Sequence, residues 1–257
     1  MLKIKEVITT SNKYIFNSYS VIINMKKPYI KKFSEVSGFK VWIVDGDYIR
    51  DNIDEEFTNY GQNYQFKFIP KNEFWVDKER VGWEYNHYIN SMLTINRLLA
   101  KGMSRGEAIK IADKEERSER SKSQLVKKRI KLKKYPEKLI DSVHKDLLQK
   151  YSNKKIKVWI VSGELVRDLF FLDFTEGGHG YVYSFIPKKE IWIDDDIEPD
   201  EIKFVLLHEM HERNLMAKGM KYESAHKSSS KIEYYCRKHP KELNENLKKE
   251  IKKNRGK

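Results

Sequence analysis

At 257 residues the chain has room for one large or two ordinary domains, and a formal charge of +13 with a pI near 9.4 points towards polyanionic partners such as nucleic acid. Cys236 is the only cysteine, which excludes an intrachain disulfide and a thiolate zinc cluster, fits a reducing cytoplasmic setting, and leaves His, Asp and Glu to bind any metal. No apolar run approaches the roughly 20 residues that cross a bilayer, and Met1 to Glu6 lacks the apolar centre of a signal peptide, so no membrane association is expected.

The chain repeats itself. Lys40 to Asp51 reads KVWIVDGDYIRD and Lys157 to Asp168 reads KVWIVSGELVRD, an offset of 117 residues. At that offset Phe68-Ile69-Pro70 falls on Phe185-Ile186-Pro187 and Trp75 on Trp192. Over 40–77 against 157–194, 19 of 38 positions are identical, too many for chance, so the segments are two copies of one folding unit. The expected division is an N-terminal copy over 1–120 (repeat core 40–116), a basic linker and helix over 121–150, and a C-terminal copy over 151–257 (repeat core 157–233).

In chain order, the linker comes between the copies: Arg120 to Lys134 holds eight basic residues and no acidic one. It reads as a solvated connector or as a phosphate-contacting arm through Lys127, Lys128, Arg129 and Lys131. Pro136 to Gln149 has the spacing of an amphipathic helix. A strand at 157–161 should end in a turn at Ser162-Gly163. After the glycine-rich loop Gly177 to Gly180, a second strand is expected at Tyr181 to Ile186 and a short third at Ile191 to Ile193. Helices follow at about 200–218 and 222–237, with Gly219 as the C-cap between them, and the basic run Lys248 to Lys257 should be frayed. The fold class is therefore α+β, a tandem duplication of a unit with a small three-stranded sheet followed by a helical hairpin.

Each copy serves as a control for the other. Features in both are best explained by folding: Trp42 and Trp159, expected to be largely buried, the Lys-Gly-Met turns, Arg50-Asp51 with Arg167-Asp168, and Glu233-Arg237, which matches Glu116-Arg120 as an i,i+4 pair. The second copy alone has His208, Glu209 and Glu212 where the first has Ser91, Met92 and Ile95. It also has His226 in place of Ile109 and His179 in place of Gln62.

His208 and Glu212 are four residues apart, so on a helix they share a face and could hold one ion. Glu209 lies about 100° round the helix, where a carboxylate can reach a water in an open coordination position and act as general base. His226, on the next helix, is the preferred third ligand. Two histidines and one glutamate with an open position is a catalytic zinc pattern, so a divalent metal, zinc first, is the expected cofactor. His211 is an alternative ligand. His179, between glycines, is a candidate substrate or transition-state contact, or simply part of a tight turn.

With helix, three strands, a His-Glu-x-x helix and a further ligand-bearing helix, the second copy resembles the minimal core of the zincin metallopeptidases. The resemblance implies His208 as ligand, Glu209 as base, and a protein or peptide substrate. It covers about a third of the chain, and Glu212 stands where that family has its second histidine. The rival expectation is a basic, non-enzymatic protein that binds nucleic acid or serves as a structural interaction module.

Overall fold

Both Val-Trp-Ile-Val runs form the second strand of a four-stranded sheet, as their β-branched content predicts. The computed structural model describes residues 28–253 apart from 80, 81, 83 and 135. The first unit contains β1 (Tyr29–Val36), β2 (Phe39–Val44), α1 (Gly46–Asn52), β3 (Tyr60–Gln62), β4 (Glu73–Asp77), α2 (Tyr85–Ala100) and α3 (Arg105–Arg120). Helices α4 (Gln124–Ile130) and α5 (Pro136–Asp141) connect it to the second unit. That unit contains β5 (His144–Leu147), β6 (Lys157–Val161), α6 (Gly163–Leu169), β7 (Gly177–His179), β8 (Glu190–Asp194), α7 (Ile202–Met216), α8 (Tyr222–Lys238) and α9 (Pro240–Lys253). No described helix is long and apolar enough to cross a membrane.

The sheets have the same order, β1-β2-β4-β3 and β5-β6-β8-β7, with the middle pair parallel and the outer pairs antiparallel. Their registers also match: Trp42 pairs with Trp75 and Trp159 with Trp192. The fold is α+β and the unit is duplicated.

Several local expectations are corrected. Each sheet has four strands, not three. The extra strands β1 and β5 do not share the offset of 117, because β1 enters β2 through a tight Ser37-Gly38 turn (φ 49° and 83°), whereas β5 reaches β6 through a longer connection. The helical spacing of Pro136 to Gln149 holds only to Asp141, and β5 follows, so the second sheet begins inside the segment assigned to the linker. The second strand is Gly177–His179, not Tyr181 to Ile186: the Tyr183 ring packs over Gly178, where a Cβ would lie 2.5 Å from it, and this folds the aromatic run back as a turn.

Ser162-Gly163 opens α6 instead of closing a turn. The Ser162 hydroxyl caps the helix by accepting from Leu165 N at 3.4 Å, and a Cβ at residue 163 would lie 2.1 Å from the Asp194 carboxylate that receives Arg167. Lys248 to Lys253 is not frayed, because α9 docks through Leu243, Leu247 and Ile251; residues 254–257 and 1–27 lie outside the described residues. Trp42 and Trp159 are half-buried, each packed against one ring, Tyr29 at 4.9 Å and His144 at 4.3 Å, while Trp75 and Trp192 fill the cores. In the connector, Val126 is buried in the second unit's core, Lys127, Lys128 and Lys131 are exposed, and Arg129 is half-buried.

The two units meet through reciprocal ion pairs, each with a mate 117 residues on. Arg167 of the second unit reaches Glu84 of the first, and Arg50 of the first reaches Glu201 of the second. Arg120 binds Asp168 at 3.0 Å, and Arg237 binds Asp51 at 3.2 Å. Within the units, Arg50 binds Asp77 at 2.8 Å and Arg167 binds Asp194 at 2.6 Å. Such reciprocity defines an isologous interface, here formed inside one chain. Arg50, Arg167 and Glu84 are fully buried, so these charges depend on one another for solvation.

Candidate metal centre

The turn between α7 and α8 is closed by Gly219 at φ 93°, with Met220 N donating to Leu215 O at 3.1 Å, the bond of a Schellman cap. This sends α8 back along α7 and sets His226 opposite His208 and Glu212. His208 Nε2 and His226 Nδ1 are 3.1 Å apart, His226 Nδ1 and Glu212 Oε2 2.9 Å, and His208 Nε2 and Glu212 Oε2 3.7 Å. Ligands at zinc's usual distances in a tetrahedral site stand about 3.3 Å from one another, so the triangle has the right size.

The second polar atom of each of these residues is also engaged. His208 Nδ1 lies 2.8 Å from Glu233 Oε2, which fixes the proton on Nδ1 and leaves the Nε2 lone pair facing the triangle. His226 Nε2 faces Glu56 of the first unit at 3.5 Å, and Glu212 Oε1 lies 3.1 Å from His179 Nε2. Glu233 is itself held by Arg237 at 2.9 Å, and Arg237 by Glu201 at 2.6 Å, so the support of His208 continues into the unit interface.

His179 therefore differs from its expected role as a substrate contact. It is fully buried behind Glu212. Its Nδ1 accepts from Tyr181 N at 3.2 Å, so in neutral imidazole the proton must sit on Nε2 and be donated to Glu212. Although His179, Glu209 and Glu212 also lie within 4.8 Å of one another, this tautomer has no lone pair left for an ion. His211 points elsewhere, with Nδ1 2.8 Å from Glu250 and Nε2 2.9 Å from Ser228.

Glu209 lines a cavity of about 270 Å³ together with His208, Glu212 and His226. It makes no hydrogen bond or ion pair among the described residues, and burial raises its carboxyl above the ordinary value. A Cβ at Gly177 would lie 3.2 Å from Glu209 Cγ and 2.9 Å from Val205, so the glycine in β7 lets α7 seat this carboxylate against the strand.

Without an ion, the cluster holds protons. Burial disfavours charge on His208, yet hydrogen bonds to Glu212 and Glu233 carry its pKa well above the usual imidazole value. Hydrogen bonds to Glu212 and Glu56 raise His226 to about 9. Burial would raise Glu212, but contacts from His179, His208 and His226 hold it far below the carboxylate range.

No family model, curated protein or solved structure matches this chain. The site is therefore read from its own geometry. In the first unit the corresponding helices carry Ser91, Ile95 and Ile109, and Ile95 packs in an apolar cluster with Ala108 and Ala112. Two participants escape sequence reasoning. Glu233 is discounted because Glu116 matches it, and Glu56 belongs to the other copy, away from the cluster that the comparison of copies picks out. No pattern in the sequence marks a contact across copies.

Proposed function

We propose that the second unit is a mononuclear metal-dependent hydrolase, with His208, Glu212 and His226 as ligands and Glu209 as general base. The observation that carries this reading is the convergence of three ligand atoms within 3.7 Å while the other polar atom of each is oriented by Glu233, His179 or Glu56. A divalent ion such as zinc would lower the pKa of a bound water towards neutrality and polarise a substrate carbonyl. Glu209 is placed to accept a proton: it borders the cavity, has no competing partner among the described residues, and burial raises its carboxyl above the ordinary value. The zincin resemblance favours a protein or peptide substrate.

The test is a matched pair of zinc-loaded proteins. Wild type should release new amino termini from casein, whereas Glu209→Gln should keep its zinc and lose activity by about 10²–10⁴-fold. Equal activity of the two proteins would remove Glu209 from the mechanism.

Zinc affinity should rise with pH. His226 carries a proton below about 9, and His208 is raised as well, so an ion must displace protons that become fewer as the pH climbs. Competition against a chromophoric chelator should show affinity gaining at least roughly tenfold per unit between about pH 6 and 8. A flat profile would mean that these imidazoles are not the ligands.

One further observation favours a second, compatible reading. Lys127, Lys128 and Lys131 are exposed and have no carboxylate partner among the described residues, which suits α4 and the turn after it to contact a polyanion. Such binding would weaken steeply with salt, unlike a chelated ion.

A further inference from the structure

The cavity beside Glu209 is built by both units. Residues Glu55, Glu56 and Thr58, from the loop after α1, face His226 and Ser230 on α8, with Ser230 donating to Glu56 at 3.2 Å. In a chain of net charge +13, no lysine or arginine among the described residues lines this cavity. Glu176 and Glu233 at its wall are matched by Arg50 at 3.2 Å and Arg237 at 2.9 Å. Glu55 has no partner among the described residues. Among the described residues, the Glu56 carboxylate faces His226 and Ser230. Tyr222, which stacks on His226 at 5.4 Å, and Tyr183 add aromatic surface to the same wall.

Resting on the hydrolase reading above, we propose that the substrate carries a guanidinium or ammonium group, received by Glu55 and Glu56 of the first unit beside the bond to be cut. Two carboxylates and aromatic faces are what a guanidinium recognises, through charge-assisted hydrogen bonds and stacking. The first unit, which lacks the ligand set, thereby becomes the specificity wall of the second.

The test compares Nα-acetyl-arginine hydroxamate with Nα-acetyl-citrulline hydroxamate, its uncharged isostere, by calorimetry on the full chain after zinc uptake has been measured. The cation should bind about 10–100-fold tighter. Glu55→Gln and raised salt should each narrow that ratio while zinc uptake stays unchanged. Equal affinity of the two hydroxamates, or binding of neither by protein that has taken up zinc, would overturn the cation preference and leave the metal centre standing. Absence of zinc uptake would overturn the hydrolase reading and this inference together.

Discussion

Replacing Arg167 with Met should destabilise the protein by about 3–5 kcal/mol, the cost of leaving a buried charge without its partner. Arg167 is fully buried, donates to Asp194 at 2.6 Å and to Phe174 O at 3.2 Å, and carries the cross-unit pair with Glu84. Burial alone would raise the Glu84 carboxyl, yet Arg167 and Arg120 hold it below its ordinary value. Its contribution is therefore present above the ordinary carboxylate pKa and lost as pH falls through the depressed folded-state value. Urea unfolding near neutrality reads the loss as a lower midpoint. Replacing Glu84 and Arg167 together by Met should recover part of it, because Glu84 is then no longer buried without Arg167, and only part because Asp194 still loses its guanidinium partner. A change below about 1 kcal/mol for the single variant would mean that the pair does not hold the units together.

His208→Ala should abolish stoichiometric zinc binding, a larger loss than the roughly 10–100-fold that removal of an outer-shell partner brings. The imidazole supplies one of three ligand atoms, and its replacement also strands Glu233, whose Oε2 is 2.8 Å from His208 Nδ1. Ser91 occupies the matching place in the first unit, where Glu116 still pairs with Arg120 at 2.8 Å, so the helix pair folds without a histidine. Circular dichroism of the variant should match wild type while equilibrium dialysis finds no bound ion. Retention of zinc at wild-type affinity would remove His208 from the ligand set.

The sequence made the duplication legible because gapless identity at one offset follows from a shared fold, and both the paired sheets and the two Lys-Gly-Met caps obey it. The helical hairpin and the meeting of His208, Glu212 and His226 were legible from helical spacing and the Gly219 turn. β1 and β5 were not, because hairpin connections of different length remove them from the common offset. Nor was α6, whose first glycine makes room for Asp194 instead of marking a turn. Comparing copies separates scaffold from site only when each residue has one role. Glu233 has two, receiving Arg237 on Oε1 as Glu116 receives Arg120, and facing His208 with Oε2. Arg50 and Arg167 likewise bind within their own unit and across to the other, which a repeat inside one chain cannot reveal.

The most direct test of the central claim is an anomalous-difference map at the zinc edge from crystals soaked in zinc at about pH 8, where proton competition is reduced. The predicted result is a single strong peak about 2.0–2.2 Å from His208 Nε2, Glu212 Oε2 and His226 Nδ1, with none beside Ser91, Ile95 and Ile109. A map with no peak at that triangle, or with zinc held by other residues, would contradict it.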